Sequence, residues 1–121
     1  MNQHYWNQTE SFTMKENFFR KLVMGDQLTI ARTEMDTGAR LQPRCYPCES
    51  FIVILTGLCK VRVNGRADII GANQILHVPA YAEHDIEALE HTLALEIQPR
   101  SPALPPERSG LMEDENYLWG V

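Results

Sequence analysis

From residue 18 onward, apolar positions recur at strand spacing rather than helix spacing. Phe18–Met24 is an apolar-rich run that closes at Gly25-Asp26, a turn pair. Gln27–Met35 follows and ends in the turn Asp36-Thr37-Gly38. Phe51–Leu55 is a continuous apolar run bounded by Ser50 and Gly57, which predicts a strand covered on both faces. Leu58–Val63 alternates instead, with Cys59, Val61 and Val63 on one side and Lys60 and Arg62 on the other. That pattern predicts a strand with one wet face. Asn64-Gly65 then stands between strand-like runs, where a type I′ turn needs positive φ at both positions. Ile75–Pro79 and Thr92–Gln98 supply two more strands. No stretch of the body sustains a 3.6-residue period with caps, and there is no internal repeat. Short strands separated by turn signals predict an all-β sandwich or barrel.

The ends read differently. Residues 1–17 are polar with Tyr5, Trp6 and Phe12 as isolated anchors, and predict an arm laid over the body. Pro99–Pro106 is too rich in proline to donate regular ladder bonds, so 99–121 reads as a C-terminal strap ending in a docking anchor, Tyr117-Leu118-Trp119. The expected organisation is one domain over 1–121, with the barrel at 18–98 between arm and strap.

Composition narrows the function classes. At 44% hydrophobic and 22% charged, the 121-residue chain is an ordinary globular protein. A net charge of −5 argues against salt-driven nucleic-acid binding, which needs a basic face. No apolar run approaches the roughly 20 residues of a membrane span, and the N-terminus lacks the basic start and apolar core of a signal peptide. A cytoplasmic location is the expectation. Three cysteines in such a chain favour free thiols over a disulfide framework.

Two spacings carry the remaining signal. Gly38, five residues, Arg44, one, Tyr46, three, Ser50, six, Gly57 resembles the first motif of the cupin family, which has Gly, His, His, Glu or Gln, and Gly at those places. Asn73, five, Pro79, one, Tyr81, two, His84, three, Ala88 fits the spacing of the second motif, Gly, Pro, Gly, His, Asn, but keeps only the Pro and the His. The Asn64-Gly65 hairpin lies where cupins place theirs. Phe19-Arg20-Lys21, Pro47-Cys48-Glu49 and the closing Asn116-Tyr117-Leu118 are similar to small single-domain cupins, some of which act on unsaturated uronates in pectin breakdown. The resemblance implies a cupin-type β-barrel, a jelly roll, over roughly residues 27–98.

In metal-dependent cupins the two His and the Glu of the first motif are ligands. Here Arg44, Tyr46 and Ser50 hold those slots, so the resemblance implies the frame without the metal, and no cofactor is expected. Strand alternation puts Arg44 and Tyr46 on one side and Cys45 on the other. His84 occupies the one surviving ligand position. Glu96 and Gln98 alternate together, and an acidic residue near Glu96 faces the pocket in related cupins. The candidate constellation is therefore Arg44, Tyr46, Ser50, His84, Glu96 and Gln98. A guanidinium at 44 binds a carboxylate through two parallel hydrogen bonds without an ion, or else pairs structurally with Glu96 or Glu49. His84 suits general acid–base work, or is a hydrogen-bonded interior histidine. Tyr46 donates to an oxyanion or fills volume, and Ser50 is a polar filler with no relay to make it a nucleophile.

Three functions compete. The first is a metal-independent enzyme of the isomerase or lyase type, performing isomerisation, dehydration or cyclisation on a small carboxylate-bearing or sugar-like molecule. Arg44, Ser50 and Gln98 would bind the substrate, while His84, Tyr46 and Glu96 would act on it. The second is a barrel that binds such a ligand unchanged. The third is a metalloenzyme with atypical ligands drawn from His84, His77, Cys48 and Glu49. Cys45 and Cys48 have a C-x-x-C spacing, but without a second pair they make no structural zinc site. In the strand at 51–55, Ile52 and Ile54 face inward and Phe51, Val53 and Leu55 outward. That outward row needs a cover, either the arm or a second subunit. Small cupins often pair across a sheet, which implies a homodimer.

Overall fold

A computed structural model describes residues 3–100; the proline-rich strap and its Tyr117-Leu118-Trp119 anchor lie outside the described residues, apart from Pro99 and Arg100. Ten strands follow a short 3₁₀ turn at Trp6–Gln8: β1 Ser11–Lys15, β2 Phe18–Met24, β3 Leu28–Met35, β4 Arg40–Arg44, β5 Ser50–Thr56, β6 Leu58–Val63, β7 Arg66–Gly71, β8 Ile75–Val78, β9 His84–Ala88 and β10 Thr92–Pro99. They form two antiparallel sheets. One has the order β1-β2-β3-β10-β5-β8, the other β4-β9-β6-β7. This is the jelly-roll arrangement that the strand spacing and the motifs predict. No helix among the described residues is long and apolar enough to cross a membrane.

Alternation sorts the strands as the pattern requires. Ser50, Ile52 and Ile54 are buried on β5 while Phe51 and Leu55 are exposed. On β6, Cys59 and Val61 are buried, and their inward faces meet Ile86 and Ala88 of β9. Both sheets contribute to one core, with Phe18, Met35, Ile54, Val78 and Ala94 from the larger and Leu41, Val61, Ile70 and Ile86 from the smaller.

The N-terminal stretch departs from expectation. Ser11–Lys15 pairs with β2, from Ser11 opposite Lys21 to Lys15 opposite Phe18, through a left-handed turn residue at Asn17. It is an edge strand of the larger sheet rather than an arm across it. It therefore does not cover the outward row of β5, where Phe51 and Leu55 remain 42% and 38% exposed. Strands β4, β7 and β9, like β1, also exceed the six strands read from apolar runs. Their polar or proline-containing sequences hide the alternation: Pro43 lies inside β4, and β7 buries only Ile70 outright.

The turns explain how the motif frame survives substitution. Gly38 and Gly57 have φ of 88° and 102°, and at Gly57 a side chain would run into His91 and Thr92. In the second motif the two glycine positions hold Asn73 and Tyr81, which nevertheless adopt φ of 70° and 64°. The backbone keeps its left-handed turns there without the residue that takes them most cheaply. Asn64 and Gly65, at φ of 51° and 81°, close the β6–β7 hairpin as a type I′ turn.

Candidate functional site

The interior of the barrel changes character along its length. On β10 the inward row runs Thr92, Ala94, Glu96, Gln98, from small to charged. On β2 it runs Phe18, then Arg20. On the opposite sheet β9 presents Ala88, Ile86 and then His84, and β4 presents Leu41 and then Arg44. Sheet register sets Arg44 directly opposite His84. One end of the barrel is thus apolar and the other carries every candidate side chain.

All six candidates reach this polar end. Arg44, Ser50, His84, Glu96 and Gln98 are buried, and Tyr46 packs against the core with its ring 5.8 Å from that of His84. Cys45 points outward, its Sγ on the Tyr81 carbonyl at 3.2 Å. The sequence reading missed Arg20. It is almost wholly buried, donates from Nε to Thr33 Oγ1 at 3.1 Å, and pairs with Glu96 Oε2 at 3.5 Å. A signal was available, because Arg20 shares a strand face with Phe18, and a charge on an apolar face needs an interior partner.

Electrostatics bind these groups into one unit. Burial pushes Glu96 up to about 7, against the pull of Arg20 and Arg44. Burial also lowers Arg20 to about 10, opposed by Glu96. The Tyr46 phenol is held well above its usual range by burial, with the Arg44 charge acting the other way. Burial lowers His84 despite its hydrogen bond to a backbone carbonyl. That bond, Nδ1 to Ala82 O at 3.0 Å, fixes the neutral tautomer, since a carbonyl only accepts. Nε2 is then the basic nitrogen.

The described residues do not make up a divalent-cation site. Among the described residues no three His, Cys, Asp or Glu side chains come together. The atypical ligand set of the sequence reading is divided by strand alternation. His77 lies outward on β8, stacked near Phe51 and bonded to Glu49 at 2.8 Å, while His84 is inside. Cys48 is half-buried, and burial and the Glu96 charge push its thiol up, away from the thiolate a soft metal needs.

Comparison with solved structures matches this architecture. An RmlC-like cupin from Shewanella frigidimarina superposes with a TM-score of 0.77 at 16% identity, over 82% of this chain and 90% of that one. The KdgF structure from Halomonas sp. gives 0.76 at 17% identity, over 84% and 96%. The fold is that of a cupin. The cupin domain of Schizosaccharomyces pombe Cnp3 extends the likeness to 89% of this chain and 80% of that one, with a TM-score of 0.69 at 15% identity. No family model matches the chain, and neither does any curated protein sequence. The cupin frame is accordingly carried by its turns and strand register, while the side chains inside it have diverged.

Proposed function

We propose that this cupin barrel is an enzyme that moves a proton on a small carboxylate-bearing or sugar-like molecule, without a metal, in an isomerisation, dehydration or cyclisation. One observation carries the reading: a guanidinium, Arg44, sits opposite a neutral histidine of fixed tautomer, His84, in the buried polar end of the barrel. Arg44 holds the anionic group through parallel hydrogen bonds. His84 Nε2 takes and returns the proton, with its basicity restrained by burial. Tyr46 and Glu96 orient the substrate, and Ser50 and Gln98 line the same end.

Incubating unsaturated uronates and 2-hydroxy or 2-oxo acids in D₂O, followed by NMR, tests this directly. The expected result is deuterium at one carbon, lost in His84→Ala and Arg44→Ala while the fold persists. Full exchange in both variants rejects the assignment. A second reading, capture without conversion, is favoured by the bond His84 makes from Nδ1, to a backbone carbonyl, where a relay would set a carboxylate at that nitrogen to steady an imidazolium. A ligand that binds and is recovered without deuterium supports that reading.

The outward apolar face bears on assembly. Ile30, Ile97 and Phe51 lie side by side across β3, β10 and β5, and Ile75 beside Val53 continues the patch. A second copy of the chain is the proposed cover, giving a homodimer. Light scattering tests it: Phe51→Glu should convert a dimer to a monomer, and a wild-type monomer at micromolar concentration removes the proposal.

A further inference from the structure

We infer that Tyr81 is a specificity residue on the rim of the barrel's polar end, and that it selects a carboxylate borne on a ring, sugar or aryl, whose apolar face lies against the tyrosine. The inference rests on the anion-binding part of the proposed function, to which it adds a recognition element outside the buried constellation and the shape of the ligand.

The rim is built by two connections that pass from one sheet to the other at that end. Residues 45–49 lead from Arg44 of β4 to Ser50 of β5, and 79–83 lead from Val78 of β8 to His84 of β9. They are tied together at Tyr81, whose N–H donates to the Tyr46 carbonyl at 2.7 Å and whose carbonyl lies 3.2 Å from Cys45 Sγ. Ala82 N donates to Pro79 O, and Glu83 exchanges hydrogen bonds with Asn64 of the β6–β7 hairpin. The backbone under Tyr81 is therefore fixed on both sides, one residue from the carbonyl that holds His84.

The side chain at this place serves the fold poorly. Among the described residues, four that are not glycine have left-handed backbones: Asn17, Asn64, Asn73 and Tyr81. Asparagine takes that conformation readily, and tyrosine does not. Its ring stands in water, so burial returns nothing for the disfavoured backbone. Local strain combined with an exposed aromatic, both beside the polar end, is the mark of a side chain kept for what it contacts. The rim also decides which part of a ligand meets it. Glu49 and Glu83 are exposed carboxylates on the same two connections, and they oppose a second negative charge there. The ligand's carboxylate thus goes inward and an uncharged part remains at the rim. A ring face suits Tyr81, and a preset backbone gives up little freedom on contact.

Calorimetry with acetate, benzoate and glucuronate tests the inference. Wild type should bind benzoate or glucuronate about tenfold more tightly than acetate, and which of the two identifies the kind of ring. Tyr81→Gly should reduce that preference about fivefold, with acetate changed less than about twofold and the denaturation midpoint not lowered. Tyr81→Asn, which suits the left-handed backbone without the ring, should behave alike, and Tyr81→Phe should keep the preference. Equal binding of ring and ring-free carboxylates by wild type overturns the inference, as does an undiminished preference in Tyr81→Gly. A loss in Tyr81→Phe as large as in Tyr81→Gly overturns it too, because the hydroxyl and not the ring face would then be the contact. If acetate still needs Arg44 in those cases, the proposed anion site stands. If no carboxylate binds wild type, both fall.

Discussion

The two ends of the barrel interior are built on the same strands and obey opposite rules. At the apolar end Phe18, Met35, Ile54, Cys59 and Ala88 are removed from water almost completely and need nothing but volume from one another. At the polar end Arg20, Arg44, His84 and Glu96 are buried as deeply, and each depends on particular partners. Only two residues along β2 or β10 separate one regime from the other, because successive inward positions are two apart. The stability of the barrel is therefore concentrated at one end, and groups that burial would normally neutralise are held at the other.

Substitution at the apolar end should show the largest effect. Ile54 is fully buried between the sheets, and Ile54→Ala is expected to lose about 4 kcal/mol in urea denaturation while leaving the affinity of folded molecules for an anion unchanged. A loss below about 1 kcal/mol, or a selective loss of binding, would show that the two ends are not separable.

The polar end should instead reveal itself through pH. Glu96 ionises near 7 in the folded chain against 4.5 as a free group, so the stability it contributes is full below about 4.5 and disappears as pH rises through 7, on the order of 3 kcal/mol. His84 is displaced downward, so its contribution is full above 6.5 and is lost as pH falls below that value. The slopes oppose each other between the two windows. Glu96→Gln is expected to make stability rise from pH of about 5 to 7, and His84→Gln to make it fall. Denaturation midpoints at three pH values would decide the matter, and parallel profiles for wild type and both variants would contradict the electrostatic account.

How much of this was legible in the sequence depended on the same contrast. Strands with clean apolar periodicity, β2, β5, β6 and β10, were readable because burial and alternation coincide there. Strand β4 was not, because Pro43 interrupts it and the register shifts between Leu41 and Arg44. Arg44, Tyr46, Ser50 and His84 followed from motif slots and alternation, which are local, while Glu96 and Gln98 came from the likeness to related cupins. Arg20 lies 76 residues from Glu96 along the chain, and their meeting depends on β2 and β10 flanking β3 in one sheet, which a linear pattern does not state. His77 was ambiguous for a simpler reason. One step of register decides whether it or Val78 faces inward, and Ser50 opposite Val78 settles it for Val78.

The turns that frame the polar end give a smaller prediction. Tyr81 is 72% exposed and adopts φ of 64°, so its side chain gains little from packing while its backbone carries the left-handed cost. Tyr81→Gly is expected to raise stability by about 1 kcal/mol in the same denaturation assay. A loss of similar size would mean that the ring contributes contacts that outweigh the strain.

The smallest effect should come from outside the barrel, and it bears most directly on where the chemistry lies. His77 and Glu49 form a short hydrogen bond on the surface, with both side chains about half exposed. Exposed pairs of this kind contribute roughly 0–1 kcal/mol. His77→Gln should therefore change stability by less than about 0.5 kcal/mol and leave anion binding and proton exchange unaltered. A histidine with the same chemistry stands seven positions along at His84, inside the barrel, where the corresponding change should remove exchange altogether. If His77→Gln instead reduced exchange as much as His84→Gln, burial and partnership at the polar end would not be what distinguishes the two histidines, and the active surface would have to be sought on the outer face of β8.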